Sequence, residues 1–422
     1  MAATCALLAA CGPGEEGMVS TQAGPAGTLR AEAYCTRDGL APSLRHTFIL
    51  LDERAVSAAQ TPADFVASNA ELRDAVLAIA GPDRALSSGA AAARERFSLG
   101  ILPADGSAAT VLFTGCLPAL SEEERQAARQ DGSALAEFFT GGAQRALDEA
   151  RSTYRTRLVA SLQRAAADAT GAAAPQADPL PETSVVRALE ASGRLVSGGA
   201  EGALPRLVLV TDLSAAPLPT GPSAYAQGLA DGAGTRLDLG RSEVVLVQPT
   251  GTPPARDYLD GFLLSVGGDL SYLGGPQVTA LTPPPVRVDR YVGEAAYPNR
   301  PEAVQLRIAA DRDGQLVSSW IVLRGRRDRA TPMEGQMICD AQDACEVRSG
   351  RDGFAQRWSP SPGGEPEFAA DMPFGGMRDF AYEVTGEAIA GRISDPAVGQ
   401  VGPDPDSDHV PITANVQPNA TF

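Results

Sequence analysis

The sequence predicts a doubly wound, mostly parallel α/β sheet of Rossmann type with helices on both faces, followed by a smaller antiparallel β-sandwich. Three observations predict it. Arg45-His46-Thr47-Phe48-Ile49-Leu50-Leu51-Asp52 and Arg206-Leu207-Val208-Leu209-Val210-Thr211-Asp212 are apolar runs that each close on a carboxylate. Buried parallel strands read this way when they deliver polar groups to the upper rim of an open sheet. Segments of helical spacing alternate with strand-like runs around this pair. Beyond Pro283-Pro284-Pro285 the helical period disappears and short alternating runs take over.

At 422 residues the chain exceeds what one core usually organises, so two domains are expected. The boundaries read as a signal remnant at 1–11, a flexible tether at 12–29, the α/β domain at 30–276, a Pro-rich linker at 277–286 and the sandwich at 287–422.

Within the α/β domain, strand 46–51 is followed by Thr61-Pro62, an N-cap with Pro at the first helical position. Phe65, Val66, Leu72, Val76, Leu77 and Ile79 recur at helical spacing until Gly81-Pro82 stops the helix. Phe97 to Leu102 is a strand, Asp105-Gly106 a tight turn, and Ala109 to Thr114 the antiparallel return. Ser121-Glu122-Glu123-Glu124 is a capping box, and a second helical stretch runs from about Ala143 through Leu147, Tyr154, Leu158 and Leu162. Helix 184–195, strand 206–211, a short helical turn at 225–230, strand 243–247, helix 257–264 and a closing strand at 271–274 complete the domain.

In the second domain, Val304 to Ile308 alternates, Asp311-Arg312-Asp313-Gly314 turns the chain, and Leu316 to Leu323 returns. Residues 354–358, 368–372, 380–384 and 388–393 read as further short strands, and Cys339 to Cys345 as a small loop between strands.

Composition excludes some classes of function. The formal charge is −17, and all 35 basic residues are Arg. An acidic surface argues against nucleic acid and against a polybasic membrane contact. Leu8-Ala9-Ala10-Cys11-Gly12 resembles a bacterial lipobox, in which the cysteine is lipidated; the basic end usually preceding such a stretch is expected upstream of Met1. Residues 12–27 are rich in Gly, Pro, Glu, Ser and Thr, as a tether would be. The expected location is therefore the bacterial cell envelope, on its periplasmic side or at the cell surface. The membrane is reached through the lipid anchor on Cys11, and the partners are other envelope proteins.

The order β-α-β-β-α-β-α-β-α with two Asp-ended strands resembles the von Willebrand factor A family over about residues 45–275. That resemblance implies a sheet whose second and third strands form a hairpin. The third strand then ends at the edge where the first begins, which places Cys116 near Cys35 and implies a disulfide between them. Cys339 and Cys345 form the second pair, and both suit an oxidising compartment.

The resemblance also implies a metal-ion-dependent adhesion site: Asp-x-Ser-x-Ser after the first strand, a Thr from a later loop and an Asp after the fourth strand. Asp52 and Asp212 match the two carboxylates, but Arg54 and Val56 occupy the hydroxyl positions, and Thr140-Gly141-Gly142 is an out-of-register echo of the Thr loop. The expectation is a degenerate site in which Arg54 substitutes for the cation and bridges Asp52 and Asp212. No cofactor is expected, with Mg²⁺ on Asp52 and Asp212, or Ca²⁺ on Asp404, Asp406 and Asp408, as alternatives. The run Arg324-Gly325-Arg326-Arg327-Asp328-Arg329 is a basic cluster that could grip an anionic partner, or, in a chain of charge −17, pair internally.

The two histidines, His46 and His409, lie far apart in sequence, and the chain carries no Gly-x-Ser-x-Gly, P-loop or His-Glu-x-x-His motif. A non-catalytic, lipid-anchored interaction scaffold is the first expectation. A Mg²⁺-dependent adhesion module using Asp52 and Asp212 is the second, and a hydrolase of unrecognised site the third.

Overall fold

The computed structural model describes residues 29–31, 35, 44–53, 70–103, 108–120, 142–171, 189–190, 192–193, 195–196, 202–211, 218–248, 256–278, 281–324, 329–349, 380–394 and 409–418. They build two sheets joined by a packed seam.

The first sheet has seven strands: β1 (Leu29–Ala31), β2 (Arg45–Asp52), β3 (Arg96–Leu102), β4 (Thr110–Cys116), β5 (Leu204–Val210), β6 (Ser242–Val247) and β7 (Gly268–Gly274), in the order β1-β4-β3-β2-β5-β6-β7. Strands β3, β2, β5, β6 and β7 run parallel, β4 returns antiparallel to β3, and β1 lies parallel to β4 at the edge. The helices are α1 (Ala70–Ala80), α2 (Arg84–Ser87), α3 (Gly142–Gly171), α4 (Ala224–Ala233) and α5 (Arg256–Ser265).

Period-two alternation gives each central strand two buried faces. Ile49 and Leu51 join Val76 and Ile79 of α1 and Tyr154, Leu158 and Leu162 of α3. Phe48 and Leu50 join Leu259, Phe262 and Leu263 of α5. Helices α4 and α5 touch backbone to backbone. A Cβ on Gly228 would stand 2.1 Å from the Tyr258 carbonyl oxygen, and one on Gly261 would stand 2.2 Å from that of Tyr225.

The second sheet has nine strands: β8 (Arg287–Ala295), β9 (Glu302–Ala310), β10 (Ser319–Arg324), β11 (Arg329–Met333), β12 (Gly335–Cys339), β13 (Cys345–Ser349), β14 (Phe380–Thr385), β15 (Ala388–Ser394) and β16 (His409–Val416). Its order is β11-β10-β9-β8-β16-β15-β14-β13-β12, and every pairing is antiparallel. The edge strands β11 and β12 are neighbours in sequence. The first residues of β12 also bond the turn after β9, with Met337 N donating to Gly314 O at 2.7 Å and Leu316 N to Gly335 O at 2.9 Å. The sheet therefore curls almost closed around one core, to which Tyr291, Leu306, Ile321, Met337, Val347, Tyr382, Ile389 and Ile412 contribute.

This architecture overturns the expected fold class. The chain is not a doubly wound α/β protein with a smaller sandwich: the antiparallel sheet is the larger, nine strands against seven, and the first sheet is itself mixed. Alternation reports that a strand buries one face. It does not report whether that face meets a second sheet or the far side of its own sheet.

Two further expectations meet the structure directly. Cys35 is bonded to Cys116, which sits opposite Arg96 where β3 begins, and Cys339 is bonded to Cys345. The expected turn at Asp311 is an Asx turn: its Oδ1 accepts from the amides of Asp313 at 2.9 Å and Gln315 at 2.8 Å, and Gly314 supplies φ +76°. The capping box at 121–124 and the strands expected at 354–358 and 368–372 lie outside the described residues.

Part of the seam between the sheets is apolar. Trp320, Val322 and Ala330 of the second sheet pack with Leu229 of α4 and Leu264 of α5. Leu204 packs with Ala309 and Val317.

Candidate functional site

The upper rim of the first sheet lies at the C-terminal ends of β2, β5 and β6. Register carries Leu51 opposite Val210 and Val210 opposite Val247, so the next residues, Asp52, Thr211 and Gln248, stand side by side. They share the face of Phe48, Leu50, Leu209 and Leu246 and cap that core with a polar row. All three are buried: Asp52 is 5% exposed, Thr211 1% and Gln248 1%.

The Thr211 hydroxyl donates to Asp52 Oδ2 at 2.8 Å. The backbone continues the ladder, with Thr211 N donating to Val247 O at 3.1 Å and Gln248 N to Gly274 O at 2.8 Å. Among the described residues, the Gln248 side-chain amide makes no hydrogen bond through either Oε1 or Nε2. A buried amide left unpaired costs free energy, so such a group marks a place where a partner would be welcome.

Of the residues expected at this rim, the structure places Asp52. Arg54 and Asp212 lie outside the described residues, as do Cys11, Thr140, Gly141, Asp404, Asp406 and Asp408; Gly142 opens α3. The sequence reading missed Gln248 and the role of Thr211. Their signal was present: each follows an apolar run directly and has the parity of the strand's buried residues.

The opposite edge of the sheet, where the parallel strands begin, holds a buried ionic cluster. Arg45 grips Glu95 with both arms, Nε to Oε1 and Nη2 to Oε2, each at 2.9 Å. Thr47 Oγ1 adds a bond to Glu95 Oε1 at 2.6 Å. Arg206 Nε bonds Glu243 Oε2 at 2.9 Å, and Ser271 Oγ bonds Glu243 Oε1 at 3.0 Å. Burial alone would raise the Glu243 carboxyl, but Arg206 and Arg45 beside it hold it below the usual carboxylate range. Both guanidiniums also bond the Thr282 carbonyl, and Arg45 reaches that of Pro283, so the linker is fastened to the base of the first sheet.

His46 lies near the same edge. Its Nε2 is 3.0 Å from Ser98 Oγ, which is in turn 3.2 Å from Thr114 Oγ1, and its ring stacks on Phe48 with centroids 3.9 Å apart. Burial, with Arg96 adding to it, lowers the imidazole to about 3, so it is neutral at physiological pH.

Among the described residues, one further group has metal-ligating residue types: Cys339, Asp343 and Cys345. Its sulfurs are joined in a disulfide and Asp343 Oδ1 accepts from Arg287 Nη1 at 2.7 Å, so these atoms are already committed.

Comparison with protein-family models and with curated proteins finds no match for this chain.

Proposed function

We propose that the protein is a non-catalytic interaction scaffold, anchored by lipid to the bacterial cell envelope, which binds other envelope proteins. The observation that supports this best is how its reactive groups are used. Asp52 accepts from Thr211, Arg45 and Arg206 are paired with Glu95 and Glu243, and His46 is buried and held neutral. A general acid or base needs a proton it can exchange with a substrate, and these groups are spent on the fold. The two disulfides suit an oxidising compartment. Among the described residues, no helix is long and apolar enough to cross a membrane, so a lipid on Cys11 would supply the attachment.

The test uses the native protein in its own cells. Palmitate labelling that disappears in Cys11→Ala, with release of the chain from the membrane fraction, is the expected result. A photo-crosslinker at Glu53, beside the rim, should trap one envelope protein in stoichiometric yield. An unlabelled, membrane-free chain would overturn the anchor, and the absence of any crosslinked partner would overturn the scaffold.

A second reading has its own observation. Asp52, Thr211 and Gln248 form a row of oxygen donors with an unpartnered amide, and Mg²⁺ takes oxygen ligands. A Mg²⁺-dependent adhesion module would use that row together with Asp212. Millimolar Mg²⁺ raising the melting temperature by several degrees, with the rise lost in Asp52→Asn, would favour this reading over the metal-independent scaffold.

A further inference from the structure

The seam between the sheets carries a cluster of arginines that the proposed scaffold role does not use. On the outer face of the second sheet, Arg290 of β8 is directly opposite Arg307 of β9, and Arg307 is directly opposite Trp320 of β10. Like charges facing each other across a ladder destabilise it. Here the seam also takes them from water, since Arg307 is 3% exposed.

Arg241, the residue before β6, joins them from the first sheet. Its guanidinium carbon lies 6.0 Å from the centre of the Trp320 ring, and its Nη1 is 3.2 Å from Asp238 Oδ1. Arg307 donates through Nε to Ser318 O at 3.1 Å and through Nη2 to Arg241 O. Both carbonyls belong to non-glycine residues in the left-handed region, φ 51° at Ser318 and φ 61° at Arg241. Backbone of this kind is costly for residues other than glycine, and at both places its carbonyl faces the Arg307 guanidinium.

Arg290 is half-buried, and its Nη2 donates to Gly202 O at 2.8 Å. Among the described residues no carboxylate pairs with it, and burial alone lowers it from its ordinary value. Arg307 is lowered to about 9 by burial first and then by Arg290 and Arg241. A guanidinium in such a place gains from an anion that its planar fork can grip. The backbone that accepts from Arg290 is open to approach: a Cβ added to Gly202 would meet nothing within 4 Å.

We propose that this seam is a binding site for a small oxyanion of the phosphate or sulfate class, held chiefly by Arg290 with Arg307 and Arg241 behind it. The ligand is small because Trp320, Leu229 and Leu264 fill the seam beyond the arginines. The site lies at the edge where the parallel strands begin, opposite the rim, so it is independent of the scaffold reading. An anion there would bond side chains of both sheets at once and stiffen their relative placement.

The test is thermal unfolding of the full chain in inorganic phosphate and in chloride at matched ionic strength. The expected result is an upward shift of about 2 °C or more in tens of millimolar phosphate over chloride, absent in Arg290→Gln. An equal shift in chloride, or a shift that persists in Arg290→Gln, overturns the proposal. Should that variant fail to fold, ³¹P line broadening of inorganic phosphate by the wild-type chain decides. Broadening relieved by sulfate supports the site, and an unbroadened line overturns it.

Discussion

His46 shows how one side chain couples this fold to pH. The imidazole is lowered to about 3 in the folded chain, against 6.5 for a free histidine. The unfolded chain therefore binds a proton as pH falls through 6.5, while the folded chain does not until about 3. The contribution of His46 to stability is complete above 6.5 and is lost progressively below it, about 2 kcal/mol by pH 5. His46→Gln keeps a partner for Ser98 and removes the titration, so the difference between wild type and variant in urea melts should change across this window and be flat above it. Glu95 makes the companion case. It takes two bonds from Arg45, one from Thr47 and one from the Ala92 amide at 3.0 Å. Glu95→Gln leaves a buried guanidinium short of its counter-charge and should cost about 3–5 kcal/mol in chemical denaturation. Replacing Arg45 and Glu95 together by Met and Leu should recover much of that loss, because a buried ion pair gains little over well-packed apolar groups.

At the scale of elements, the pairing of α4 with α5 depends on the absence of side chains. Gly228 and Gly261 allow the two backbones to touch, and a Cβ at Gly232 would stand 2.8 Å from the Phe262 carbonyl oxygen. Alanine is the better helix former, so Gly228→Ala would stabilise an isolated helix. In the protein it should destabilise by about 3 kcal/mol, because its Cβ cannot fit against Tyr258 O, and calorimetry should read the loss. Strands and helices in the first sheet were legible because their signals are local: apolar runs for β2, β5 and β6, helical spacing for α1, α3 and α5. Strands β8 and β16 were not. The latter runs through Pro411, which argues against a strand, yet Val410, Ile412 and Ala414 alternate into the core. The rim was half legible. Asp52 announced itself as a charge closing an apolar run, whereas Thr211 and Gln248 matter only because the register places them beside it.

At the scale of the whole molecule, the described residues form a pair of sheets coupled through Trp320, which is fully buried between them. Coupling of that kind predicts one cooperative thermal transition for the wild type. Trp320→Ala should cost about 3–5 kcal/mol and separate the two sheets into two calorimetric transitions. The clamp of Arg45 and Arg206 on the linker carbonyls acts in the same sense, tying residues 282–283 to the first sheet.

The sequence by itself determined strands β2 to β7 of the first sheet, because hydrophobic period is a property of short stretches; it did not show the edge strand β1, and the Cys35–Cys116 pair followed only from the strand order that the family resemblance implied. It also placed Asp52 at a strand end. Only the tertiary structure decided that the second region is one curled antiparallel sheet, since alternation does not say what a buried face meets. It alone joined Arg45 to Glu95 and Arg206 to Glu243, aligned Asp52 with Thr211 and Gln248, and gathered Arg241, Arg290 and Arg307 at the seam. Those groups are distant along the chain, and register and packing bring them together.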